Sequence, residues 1–204
     1  MRNLLLVVAG SGWTEDDNNV SCIYSYDGHL LGKQYKDSRF CKINENNSNC
    51  VEGLKSPGLE TTICEIKGIG DIAFAICRDV SEPNKLMSVV ERFRPQFLLV
   101  PAWSSSIHRG FEQQLGNFTE RNHRTCSMVC NCCEALETAQ SKSDVTSIIV
   151  TPAKSGSLIK GKTDYIPRKK AEYCQEHMCG GCVWMTADDY GLYDRKADLE
   201  SIVK

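Results

Sequence analysis

The chain has 204 residues and a formal net charge of −2 at pH 7, long enough for one substantial core and without electrostatic bias toward a polyanion. Its 41% hydrophobic and 25% charged residues are those of a globular protein, not of a disordered or collagenous one. No Lys/Arg run forms a basic patch, and the apolar opening from Leu4 to Gly10 is too short to cross a bilayer and lacks the form of a signal peptide. Neither nucleic acid nor membrane is an expected partner, and a cytoplasmic location is expected.

Twelve cysteines invite a disulfide reading. Most of them lie inside apolar, strand-like runs such as "CSMVCNCC" (Cys126 to Cys133), where reduced cysteine serves as a small hydrophobe. Free thiols are therefore expected. The sequons at Asn46 and Asn117 carry little meaning in a cytoplasmic chain.

In chain order, short β-type runs predict strands over Leu4–Ala9, Val20–Tyr26, Leu31–Tyr35, Thr61–Ile66, Ile72–Cys77, Phe97–Val100, Cys126–Cys132 and Thr146–Val150. Asp27-Gly28 between the second and third runs is a hairpin signal. One helix is predicted from about Glu82 to Phe93, with Ser81 as its cap and Pro83 in its first turn. A second is predicted from about Ile107 to Arg124, capped by Ser106. Past Ser141 come a polar loop, two more strands, a Cys-rich patch and a final helix from Arg195 to Val203. The strand–helix–strand order from Gly70 to Val100, continued into Cys126–Cys132, predicts an α/β layered sheet with functional groups at the carboxyl ends of its strands. Cys77 falls at one such end and Pro101-Ala102-Trp103 at the next.

Three stretches resemble the nitrilase (carbon–nitrogen hydrolase) superfamily over roughly residues 4 to 133. "GHLLGKQYKDSRF" is similar to the segment that carries the family's catalytic lysine, here Lys36. "SPGLETTICEIKGIGDIAFAICRDVSEP" resembles its Pro-Gly turn, strand pair and nucleophile motif, here Cys77-Arg78-Asp79. "FRPQFLLVPAWSSS" resembles the strand that follows. The spacing from Lys36 to Cys77 is also close to the family's. The resemblance implies an α/β fold, a nitrilase-like four-layer α-β-β-α sandwich that is incomplete, formed by residues 1–204 as a single domain with a divergent Cys-rich segment over 165–204.

The chemistry that this implies is hydrolysis of a non-peptide carbon–nitrogen bond, in an amide or a nitrile, through a thioester on Cys77. A thiolate suits that role because its pKa is easily lowered by neighbouring positive charge, here Arg78, or by a helix amino end. The Lys36 ammonium would stabilise the charge on the former carbonyl oxygen. Its bland alternative is a solvated hairpin lysine. Glu52 matches the acid that orients the lysine, or is a loop glutamate. Asp79 is expected beside the substrate pocket, holding the loop after the nucleophile. Trp103 either walls the pocket or belongs to the core.

The family's general-base glutamate follows its first strand, upstream of the segment that "LLLVVAGS" resembles. Glu15 is the only glutamate nearby on the amino side. The expectation is therefore a chain lacking the family's amino-terminal segment, completed by a partner polypeptide or in a homo-oligomer. The alternatives are a catalytically dead binding or regulatory module, and the carboxyl-terminal part of a larger enzyme. No cofactor is implied. Cys174, His177, Cys179 and Cys182 offer zinc-type ligands with only one C-x2-C pair, so zinc and reduced thiols both stay open. The substrate is expected to be a small amide; residues 41 to 57 and 104 to 110 would form the loops that shape its pocket.

Overall fold

A computed structural model describes residues 6–25, 27–39, 41–44, 47–50, 54, 60–67, 69–81, 83–104, 108–122, 125–131, 145–152 and 163–167. Its first sheet is built around β3 (Asn19–Ser25). On one edge of β3 lie β1 (Leu6–Val8) and β2 (Gly12–Trp13), and on the other β4 (Leu30–Tyr35), all antiparallel. The β3–β4 hairpin turns at Gly28, whose φ of 86° lies in the left-handed region that glycine enters without penalty. A separate two-stranded hairpin, β5 (Cys41–Asn44) with β6 (Asn47–Cys50), occupies part of the 41–57 stretch expected as loop.

The second sheet has six strands. β7 (Ile63–Ile66), β8 (Gly70–Phe74), β9 (Phe97–Ala102), β10 (Cys126–Asn131), β11 (Val145–Val150) and β12 (Thr163–Pro167) lie side by side in that order. β8, β9 and β10 are mutually parallel; the outer pairs are antiparallel. Parallel neighbours need long crossovers, supplied here by α1 (Pro83–Phe93) and α2 (His108–Asn122).

β9 explains the layering. Its Leu98, Val100 and Ala102 are buried against the helices, which contribute Leu86 and Val90 from α1 and Phe111, Leu115 and Phe118 from α2 at helical spacing. Its alternate residues Phe97 and Leu99 face the other way, into a cluster with Ile23, Phe74, Leu6 and Val8. The two clusters stack helices, six-stranded sheet and four-stranded sheet. This is three layers of the anticipated sandwich. Each fully buried Leu, Ile or Phe contributes about 1.5–3 kcal/mol of transfer free energy to holding them together. Val7, Leu30 and Tyr35, on the far face of the four-stranded sheet, are 41%, 50% and 40% exposed.

The helices match their predicted extents closely. One strand does not: the run expected to continue to Cys77 ends at Phe74, and Cys77 opens a 3-10 turn, Cys77–Val80. The expected final helix lies outside the described residues. Among the described residues, no helix is long and apolar enough to cross a membrane, and Cys22, Cys64, Cys77, Cys126 and Cys130 are free thiols.

Candidate active site

The three parallel strands end side by side, and each hands a polar group to the same rim. β8 leads through extended Ile76 (φ −119°, ψ 116°) into Cys77, whose φ of 47° is in the left-handed region. A β-carbon there costs about 1–2 kcal/mol, a strain that the surrounding bonds have to hold. Those bonds come from Asp79, the third residue of the turn. Its Oδ2 accepts the Ile76 N–H at 3.1 Å, and its own N–H donates to the Ile76 carbonyl at 3.0 Å. This reciprocal pair fastens the turn around Cys77, as a capping acid does at a helix start.

The other oxygen of Asp79 reaches a distant segment. Oδ1 accepts the backbone N–H groups of Asp37 at 3.0 Å and Ser38 at 2.7 Å, the two residues that follow Lys36. Lys36 stands just past β4, where its N–H donates to the Asn19 carbonyl at 2.8 Å. It is only 3% exposed, so a solvated hairpin lysine is ruled out. A lysine this buried calls for an anionic neighbour, and the Lys36 charge acts on Asp79. Burial pushes the Asp79 carboxyl above its ordinary range; the N–H bonds from Ser38, Ile76 and Asp37, with the Lys36 charge, pull against that without cancelling it. One carboxylate thus ties the lysine segment to the cysteine turn.

Gln34 sets the height of that segment. It points inward from β4, and its amide nitrogen donates to the carbonyls of Tyr35 at 2.7 Å and Glu60 at 3.1 Å. Its oxygen accepts the Thr62 N–H at 2.7 Å. The strand that delivers Lys36 is therefore pinned to the segment leading into β7. A small crevice opens beside it, walled by Asp37, Ser38, Phe74, Ala75, Asp79 and Leu86 among others. Cys77 is not one of its walls.

The end of β9 supplies the third side. The Trp103 ring is 59% exposed, so it is no core residue, and the Trp103 carbonyl accepts the Cys77 thiol at 3.7 Å. The next residue is gripped from β10. Asn131, 6% exposed, accepts the Ser104 N–H at Oδ1 and donates from Nδ2 to the Ser104 carbonyl, both at 2.8 Å. Asn131 and Gln34 drew no attention in the sequence. The signal available was an amide at the inward position of an otherwise alternating strand, and another at the exit of an apolar one.

Of the residues singled out in the sequence, Asp79 bonds the backbone just after Lys36 and the turn that carries Cys77, and the Cys77 thiol meets the Trp103 carbonyl. Glu15 sits exposed in the turn between β2 and β3. Glu52 and the Cys174, His177, Cys179 and Cys182 patch lie outside the described residues. Among the described residues, no group of three His, Cys, Asp or Glu side chains could hold a metal ion.

No family model matches the sequence, and no curated protein matches it. Solved structures do. The NitN amidase from Neterenkonia sp. AN1 superposes with a TM-score of 0.57 at 16% identity, over 97% of this chain and 68% of the amidase. A cysteine-to-serine mutant of the Nesterenkonia AN1 amidase from the nitrilase superfamily gives a TM-score of 0.57 at 16% identity, over 97% and 66%. A further mutant of the amidase, with the acetamide moiety of fluoroacetamide added covalently at the active-site cysteine, gives 0.51 at 16%, over 97% and 66%. At such identity the likeness is one of fold, and this chain spans about two thirds of the length of these amidases.

Proposed function

We propose that this chain, which has the fold of the nitrilase-superfamily amidases, is a hydrolase of a non-peptide carbon–nitrogen bond, acting on a small amide through a thioester on Cys77. The observation that carries this reading is the Asp79 carboxylate, which binds the backbone on either side of the site and so sets the Lys36 segment against the Cys77 turn.

In the proposed reaction a base takes the Cys77 proton, and the thiolate sulfur bonds to the amide carbon. The carbonyl oxygen becomes an oxyanion facing the Lys36 ammonium, a buried donor whose charge solvent screens little. Collapse breaks the C–N bond as the protonated base returns its proton to the leaving nitrogen, so that ammonia or an amine departs and the acyl group stays on sulfur. Water then cleaves the thioester to a carboxylate and restores the thiol. Glu52 is proposed to orient Lys36. The base is proposed to come from a partner polypeptide or a second copy of the chain, and the exposed Val7, Leu30 and Tyr35 are a surface suited to such a contact. The free thiols of the described residues agree with a reducing, cytoplasmic setting.

Fluoroacetamide is the direct probe, because it reports the nucleophile and amide recognition together. Peptide mass spectrometry after incubation is expected to find the acetamide group on Cys77 well ahead of the exposed Cys130. Labelling of Cys77 no faster than of Cys130 would overturn the assignment and leave a binding module as the better reading.

A further inference from the structure

Asn131 is the least expected polar side chain at the rim. It ends β10 directly beside Ala102 of β9, and both halves of its amide are spent on one residue, Ser104. An amide bonded at both ends to a single backbone unit fixes that unit's position and its rotation. The unit so held follows the Trp103 carbonyl, the group that meets the Cys77 sulfur. Trp103 itself is 59% exposed, so its side chain contributes little packing at this point.

We propose that Asn131 is a positioning residue, which locks the Trp103–Ser104 wall at a set distance from Cys77 so that an amide substrate is held against the sulfur. The inference rests on the reading of Cys77 as the nucleophile. Asn131 itself touches neither sulfur nor substrate; it acts through the loop. Two strand ends and one turn are thereby joined into a frame: Asp79 secures the lysine side, and Asn131 secures the opposite one. The functional consequence is selective. A loose wall would still leave a thiol open to any small reagent, whereas orientation of an amide demands the wall in place, and a displacement of about 1 Å can cost roughly 100-fold in rate.

The test has two parts. In the unmodified protein, amide hydrogen exchange by NMR is expected to find the Ser104 N–H protected at least about tenfold over a free loop amide. Exchange at the free rate would overturn the proposal without bearing on the role of Cys77. Second, Asn131→Ala and the near-isosteric Asn131→Asp are compared with the parent for Cys77 labelling by fluoroacetamide and by methyl methanethiosulfonate, which carries no amide. Asn131→Ala is expected to lower the ratio of the two rates by roughly 10- to 100-fold. Asn131→Asp, which keeps the acceptor for the Ser104 N–H and loses the donor, is expected to keep the exchange protection and fall between. If both rates change together in Asn131→Asp and the Ser104 protection is intact, the residue is merely structural and the proposal fails. If fluoroacetamide ignores Cys77 in the parent protein, the proposed function fails instead, and the exchange result still decides whether Asn131 fixes the wall.

Discussion

The carboxylate of Asp79 accepts the backbone N–H of Ser38 at 2.7 Å, joining two segments far apart in the chain through a single side-chain oxygen. Because the same carboxylate also holds the Ile76 N–H, moving it moves Lys36 and Cys77 relative to one another. Asp79→Ala leaves three backbone N–H groups without their acceptor, each costing about 1–3 kcal/mol where burial persists. Loss of several kcal/mol in a urea titration is expected, with Cys77 labelling by fluoroacetamide reduced at least about tenfold in whatever fraction stays folded.

Asp79 also predicts a pH dependence. Its carboxyl is raised above the ordinary 3.8, chiefly by burial. A carboxyl raised on folding favours the folded state in its protonated form. Its contribution to stability is therefore full below the unfolded-state value and is lost as pH rises through the folded one. The stability difference between the parent and Asp79→Asn should shrink as pH climbs from about 3.8 into the range just above it. Reactivity should slope the other way, because the three N–H donors are best met by the ionised form. A stability difference that grows with pH over that window would contradict this account.

Cys77 is held at a positive φ, so its replacements should rank unusually. At an ordinary position glycine is less stable than alanine by roughly 0.5–1 kcal/mol. Here relief of about 1–2 kcal/mol of backbone strain offsets that. Cys77→Gly is expected to be as stable as Cys77→Ala, or up to about 1 kcal/mol more so. Thermal unfolding of the two variants side by side checks it, and glycine falling clearly below alanine would mean that the turn carries no such strain.

Removing the buried ammonium tests its electrostatic role. Lys36→Met keeps most of the apolar stem and deletes the charge. Loss of one donor to a developing oxyanion costs roughly 100- to 1000-fold, so ammonia release from a small amide, where sulfur attacks the carbonyl carbon, should fall by at least about 100-fold. The Asp79 carboxyl should also titrate still higher, since the lysine charge now lowers it. Carboxyl NMR titration measures that independently of reactivity.

Gln34 gives a prediction about architecture alone. Gln34→Leu fits an inward strand position but abandons the Thr62 N–H and the Glu60 carbonyl. An expected loss of about 2–4 kcal/mol should appear in chemical denaturation. The strand leading to Lys36 would then lose two of its ties to the segment before β7, while Thr62 Oγ1 still donates to the Lys33 carbonyl at 2.7 Å, and Cys77 labelling should weaken in parallel.

The elements legible in the sequence were those set by local signals. α1 and α2 declared themselves through their capping signals, Ser81 with Pro83 and Ser106, and β9 as a short apolar run between them. The Lys36 and Cys77 segments were legible through resemblance, whose motifs occupy one stretch of chain each. Other features escaped because nothing local specifies them. β5 and β6 lack an apolar stripe, and the end of β8 at Phe74 is dictated by the turn that Asp79 fastens. A lysine in an alternating hairpin looks solvated until a second sheet closes over it. The roles of Asp79, Gln34 and Asn131 depend on backbone groups tens of residues away, and a polar side chain announces its own donors and acceptors but never their partners. Which amide, which acid and which carbonyl face one another is settled only when strands distant in the chain come to lie side by side, because hydrogen bonding is decided by separation in space, over about 3 Å.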